Sequence, residues 1–337
     1  MAVSIRDVAK AASLSCETIL EVLISPSSYE PEVVRFVMKT IRETNYLETF
    51  MRWKTGKRET SVAVLIPSLA DAAGIELFRG IDRAMSALGL GTTIMGIPTR
   101  HSPVYREETL EQQLHQKEID AVIAIYLTPT QEMAEKYMSA LKPLILVDAK
   151  VSGLQSVLLE NQQGMSIGLN YLYNRGYRTI GLMNGPSSGT SSTEPSRIPS
   201  ERLIGYLSGM HRLGLTFEES LVYETSDYDS NSGVHGFEYF FKRGKLPDAV
   251  FCASGDMSSI GFINAAREKG VRVPEDIAVL GYDDIPVASL VYPGLSTIRQ
   301  RLMIAGAGAF VLALESVVNG TGENLIIMPE LIVRGTA

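Results

Sequence analysis

The chain has 337 residues, which at roughly 100–200 residues per domain allows two or three domains. Its 45% hydrophobic and 20% charged composition suits a globular protein with a sizeable core and excludes disorder and collagen. A net charge of −7 argues against a general nucleic-acid coat. Cys16 and Cys252 make no disulfide framework, and His101, His115, His211 and His235 lack metal-ligand spacing, so neither a metal nor a cofactor is expected. No apolar run reaches the roughly 18 residues of a membrane span, and the charged start MAVSIRDVAKAAS lacks the apolar core of a secretory signal. The expected compartment is the reducing cytoplasm.

Ile5–Ala12 reads as a short helix with Ile5, Val8, Ala9 and Ala12 on one face. Ser15 is an N-cap candidate for a second, Cys16–Leu23, with Ile19, Val22 and Leu23 inward. The three-residue link makes the pair a helix-turn-helix, and a third helix, Pro31–Thr44, turns Val33, Val34, Val37 and Ile41 inward. By spacing alone, such a bundle could serve DNA or protein contacts. From Ser61 the texture changes to short apolar runs separated by helical patterns, the alternation of an α/β fold. Strands are predicted at Val62–Pro67, Thr92–Ile97, Ala121–Ile125, Leu144–Asp148, Val157–Leu159, Thr179–Met183, Ala249–Ala253 and Ile277–Gly281. Helices are predicted at Ile75–Leu88, Met165–Arg175 and Ser258–Lys269, with Gly89, Gly176 and Gly270 as stops. Asp148–Gly153 reads as an internal boundary and Ser187–Ser200 as a mobile loop. Asp256 reads as the cap of a helix from Met257.

The string Ser4-Ile5-Arg6-Asp7-Val8-Ala9-Lys10-Ala11-Ala12 resembles the opening of the lactose-repressor (LacI/GalR) family of bacterial regulators. The resemblance continues through Thr18-Ile19, Arg79-Gly80-Ile81, Gly185-Pro186, Glu201-Arg202, Gly205-Tyr206, Gly281-Tyr282-Asp283-Asp284 and Leu295-Ser296-Thr297-Ile298 to Gln300, in the family's order. It implies an N-terminal all-α helix-turn-helix headpiece plus a two-lobed, periplasmic-binding-protein-like α/β core. The expected divisions are a DNA-binding headpiece at 1–46, a hinge at 47–60 and an effector-binding core at 61–337. Within the core, one lobe is expected near 61–150 and 288–315 and the other near 151–287 and 316–337. The implied function is a ligand-responsive transcriptional regulator, a repressor, that binds operator DNA as a homodimer. Its effector would be a small polar metabolite, such as a sugar or sugar derivative, held between the lobes. The chain ends at Ala337 without leucine heptads, so no heptad-made tetramer is expected.

The DNA-reading residues implied are Ser4, Arg6, Ser15, Cys16, Glu17, Thr18, Glu21, Arg35, Arg52, Thr55 and Lys57. Several depart from the family pattern. Leu20, Glu21 and Ile24 stand where Ser, Arg and Asn are usual, Ser13 replaces the turn Gly, and Thr55 replaces the Leu that wedges into the minor groove. Residues 1–60 carry nine Lys/Arg against eight Asp/Glu, a weak balance for neutralising phosphates. A DNA-silent sensor working through protein partners is therefore the alternative.

Parallel α/β lobes bind ligands beyond the carboxyl ends of their strands. Strand ends put forward Ser68, Asp148 and Asp283, and Arg202 is expected to open a helix; the resemblance implies Asp148, Arg202, Tyr228, Asp283 and Gln300 as effector residues. Asp71-Ala72-Ala73-Gly74 replaces a frequent aromatic run and Ile125 a polar residue, so the effector is not expected to be the commonest sugar. Gly164-Met165-Ser166-Ile167-Gly168 matches the nucleophile-elbow pattern, but neither His211 nor His235 follows a predicted strand, so no enzyme is expected. Gly306-Ala307-Gly308 lacks the third glycine of a dinucleotide fingerprint and reads as close helix packing.

Overall fold

A computed structural model describes residues 3–48, 50, 59–89, 91–99, 102–187 and 197–337. Three helices come first: α1 (Ile5–Ala12), α2 (Cys16–Ile24) and α3 (Pro31–Glu43). Ser4 caps α1 through a reciprocal box with Asp7, and Ser15 caps α2 by accepting from the Thr18 N–H at 3.0 Å. Between them Ser13 takes φ +54°, a left-handed conformation in which the usual glycine would carry no Cβ penalty. The apolar faces predicted for α1 and α2 are buried. So, in addition, are Leu20 and Ile24.

The core then runs β1 (Thr60–Ile66), α4 (Ala72–Leu88), β2 (Thr92–Pro98), α5 (Pro103–His115), β3 (Ala121–Ile125), α6 (Gln131–Ser139), β4 (Leu144–Val147), β5 (Gln155–Leu159). It continues through α7 (Asn161–Asn174), β6 (Ile180–Asn184), α8 (Arg197–Arg212), β7 (Val222–Glu224), α9 (Ser230–Phe241), β8 (Ala249–Cys252), α10 (Asp256–Glu268) and β9 (Ala278–Asp283). It closes with β10 (Ser296–Arg299), α11 (Leu302–Asn319), β11 (Leu325–Ile327) and β12 (Glu330–Ile332). The strands form two six-stranded sheets, ordered β11-β5-β4-β3-β1-β2 and β12-β10-β9-β8-β6-β7. Each sits in its own compact unit: Met1–Leu158 with Leu302–Ile327, and Leu159–Arg301 with Met328–Ala337.

The units divide at other residues than expected. The first crossing follows β5, because Gln155–Val157 pair with Ile145–Val147 of β4; Asp148–Gly153 is only the turn between these two strands. Residues 288–301 stay with the second unit, because Ser296–Arg299 pair with Leu280–Asp283 of β9. The chain re-enters the first unit at Leu302, and α11 then runs unbroken against α4 past residue 316. The headpiece does not form a compact body of its own, because α2 packs on α4 and α11. Strands β7, β10, β11 and β12, three or four residues each, are absent from the sequence expectations; the equally short β4 and β8 are legible because they are apolar and buried throughout, whereas β7, β10 and β12 mix in polar residues.

Glycines set the closest helix contacts in both units. A Cβ on Gly80 would fall 1.9 Å from the Met303 carbonyl oxygen, and one on Gly306 2.0 Å from that of Leu77, so α4 and α11 meet backbone to backbone. In the second unit, Gly233 of α9 and Gly261 of α10 make the same approach. Helix α11 is long and apolar enough to cross a membrane, but 78% of that stretch is buried inside the protein.

Candidate functional site

The carboxyl edge of the second sheet gathers the polar residues. Asn184 ends β6, Ser254 follows β8, Asp283 ends β9 and Gln300 follows β10, four strands adjacent in the sheet. Arg202 lies in the middle of α8, not at its start, because the helix already begins at Arg197. It is 4% exposed. Its Nε donates to Asn161 Oδ1 at 2.9 Å, and one terminal nitrogen donates to the Ala253 carbonyl. The other lies 3.9 Å from Asp283 Oδ1, and the guanidinium stacks 4.0 Å from the centre of the Tyr282 ring. Gln300 Nε2 donates to the same Asp283 oxygen, which orients the Gln300 amide.

Three buried atoms on this edge have no hydrogen-bond partner among the described residues: Asn184 Oδ1, Ser254 Oγ and Gln300 Oε1. The Asn184 amide is oriented by its Nδ2, which donates to the Pro199 carbonyl at 2.9 Å. Leaving a buried polar atom unpaired costs about 1–3 kcal/mol, so a row of three is an expensive arrangement for structure alone. Two are pure acceptors and the third is a hydroxyl, while Arg202 already faces a carboxylate, an amide oxygen and a carbonyl. The edge therefore asks for donors and has little free positive charge to offer an anion.

Tyr228 is half-buried with its ring against Gly185, where a Cβ would come within 2.6 Å of it. Ser68 and Asp148 belong to the other unit. Ser68 Oγ accepts from the Ala70 N–H at 3.2 Å in the turn after β1. Asp148 is buried directly after β4, with φ +52° and its N–H donating to the Val157 carbonyl. The sequence reading missed Asn161, Asn184, Ser254 and Tyr282. The strand-end rule could have found Asn184 and Ser254; it could not find Asn161, which opens a helix. Asp256 is not a cap: Gly255 holds that position, and Asp256 accepts instead from the Ile285 N–H and the Thr297 hydroxyl. Burial, and then the charge of Asp283, push its carboxyl well above the usual carboxylate range. The Gly164–Gly168 motif lies inside α7, its glycines under Tyr282 and Phe251, and Ser166 accepts from Arg212. That is helix-to-sheet packing, not a nucleophile turn.

Five of the eight described headpiece residues singled out from sequence are engaged as follows. Ser4, Ser15 and Thr18 serve caps, and Glu21 accepts from the Tyr29 hydroxyl at 2.8 Å. Arg6 donates to the Glu323 and Asn324 carbonyls at 3.1 and 2.6 Å. Cys16 and Glu17 are half-buried and Arg35 is exposed; burial pushes the Cys16 thiol up. Arg52, Thr55 and Lys57 lie outside the described residues. The headpiece meets α11 at Glu315, whose Oε1 accepts from the Ile5 N–H and, at 2.9 Å, from the Tyr46 hydroxyl.

Burial raises the Glu315 carboxyl from its ordinary 4.5 to about 7, against the Ile5 and Tyr46 hydrogen bonds and Arg6, which lower it; Asp7 raises it slightly. Cys16 is the other titratable group it feels. The folded state thus favours neutral Glu315. The resulting stability is full below about pH 4.5 and is lost as pH rises through about 7, a change on the order of 3 kcal/mol. We expect Tm to fall over that window and the fall to shrink in Glu315→Gln, the remainder coming from the raised carboxyl of Asp256. An equal fall in the variant would rule Glu315 out as the cause.

Comparison with known proteins adds four likenesses. The model of the periplasmic binding protein-like domain family matches residues 169–337. The HTH-type transcriptional repressor CytR of Escherichia coli is 26% identical over 99% of this chain and 96% of its own. Among solved structures, the lac repressor dimer bound to operator and an anti-inducer has TM-score 0.70 at 24% identity, covering 100% of this chain and 99% of that one. The regulator CelR in complex with cellobiose gives 0.70 at 23%, covering 99% and 100%.

Proposed function

Because this chain belongs to the lactose-repressor (LacI/GalR) family, whose members are ligand-responsive repressors and not enzymes, we propose that it represses transcription under the control of a neutral, polyhydroxylated metabolite. The observation that carries the effector class is the row of oxygens unpaired among the described residues, the acceptors Asn184 Oδ1 and Gln300 Oε1 and the Ser254 hydroxyl, on one sheet edge. Sugar hydroxyls donate to such atoms; a phosphate or carboxylate does not. The cellobiose bound by CelR is consistent with this class. Arg202 and Asp283 would hold the edge in shape, and Tyr228 would offer an aromatic face to a ring. The active form would be a cytoplasmic homodimer, since operators are built as paired half-sites.

The test is a thermal-shift panel of neutral sugars and nucleosides against sugar phosphates and carboxylates. A neutral ligand at 100 times its Kd should stabilise the chain by about 2.7 kcal/mol. Stabilisation by the anions alone would sink the assignment. In parallel, DNA binding on genomic fragments is titrated from about 50 to 200 mM salt. Discrete, roughly palindromic fragments with a steep salt slope are expected. A flat slope with no enrichment would favour the DNA-silent sensor, a reading that the engaged headpiece residues support.

A further inference from the structure

We propose that the headpiece is stowed on its own lobe, with the DNA-facing side of α2 buried, and that operator binding requires its release. The inference rests on the reading of the chain as a DNA-binding repressor and adds a regulation to it. Helix α2 is apolar on two sides. Ile19, Val22 and Leu23 serve the headpiece's own core by their spacing. Leu20 and Ile24 are also buried, at 0% and 5% exposure. Leu20 sits at Gly308 of α11, its Cδ1 3.5 Å from where a Cβ would stand. Arg83 of α4 closes the other end, donating to the Ile24 carbonyl at 3.2 Å and to Ser25 Oγ at 3.1 Å. A cation at a helix C-terminus is favourable there.

Two further ties, made from α1, hold the headpiece to the lobe. The Ile5 N–H, one of the donors that α1 leaves open at its start, reaches Glu315 together with Tyr46. Arg6 spends its guanidinium on the carbonyls before β11. A recognition helix fills a major groove only about 12 Å wide, so it cannot carry α4 and α11 on its flank and enter DNA. The departures at Leu20 and Ile24 gain a reason: they are apolar because they meet protein.

The experiment is hydrogen exchange on the full chain, paired with binding to random-sequence duplex DNA at about 50 mM salt. In the variant Leu20→Ser/Ile24→Ser, the amides of α2 should exchange at least tenfold faster and DNA should bind at least tenfold tighter. Arg83→Ala changes an exposed lobe residue and leaves the headpiece sequence intact. It should move both readouts the same way by about threefold, which separates release from unfolding of the headpiece. Unchanged α2 protection in both variants would overturn the stowed headpiece. Faster exchange without tighter DNA binding would leave the docking standing and overturn instead the reading of the chain as a DNA-binding repressor.

Discussion

Replacing Gly306 by alanine is expected to destabilise the first unit by about 3 kcal/mol or more, which at this size lowers Tm by roughly 6–12 °C. The new methyl would stand 2.0 Å from the Leu77 carbonyl oxygen, and backbone cannot swing aside as a side-chain tip can. The helices α4 and α11 must then separate along the contact that also seats α2. Gly80→Ala, with its methyl 1.9 Å from the Met303 oxygen, should behave alike. Gly89→Ala is the contrast: nothing lies within 4 Å, and only the left-handed φ of +61° is strained, at about 1 kcal/mol. Calorimetry on the three variants checks the ranking. Equal losses at Gly306 and Gly89 would mean that the helices do not touch as described.

The second large effect belongs to Arg202→Ala, expected to cost roughly 3–5 kcal/mol, because it leaves Asp283 half of a broken buried pair. It also removes the donors to Asn161 and the Ala253 carbonyl and bares the Tyr282 ring. Arg202→Lys should lose less, keeping the charge but not the planar fork. Loss of effector binding in the alanine variant would therefore say little about direct contact. Ser254→Ala is the sharper probe. Its hydroxyl is buried with no partner among the described residues, so its removal should leave stability unchanged or slightly raised. Affinity for the effector found in the panel should fall about tenfold, the worth of one hydrogen bond of about 1.4 kcal/mol. Full affinity in Ser254→Ala would take that atom out of the ligand edge.

Much of the local structure is legible residue by residue. Ser4 with Asp7 and Ser15 with Thr18 announce two helix starts, because a side-chain oxygen three residues ahead satisfies an N–H that the helix leaves open. Ala121–Ile125 is bounded as its apolar run predicts, since a strand buried on both faces needs apolar residues throughout. The strand-end rule leads to Asp283, and the family resemblance to Gln300. Applied throughout, the rule also reaches Asn184 and Ser254, but it does not tell that their oxygens stay unpaired among the described residues, because a polar residue after a strand looks the same whether or not a partner meets it.

By itself, then, the sequence determined the helix-turn-helix, the two α/β lobes and the family, since caps, periodicity and ordered motifs depend on near neighbours. Tertiary structure alone decided where the chain crosses between units, which buried oxygens stay unpaired, and what Leu20 and Ile24 face. Each of these depends on residues far apart in the chain: Gln155 with Ile145, Leu20 with Gly308, Ile5 with Glu315. An apolar residue in a recognition helix reads from sequence as a lost DNA contact. Only the lobe beside it reveals a protein contact, because burial is a property of the surroundings and not of the residue.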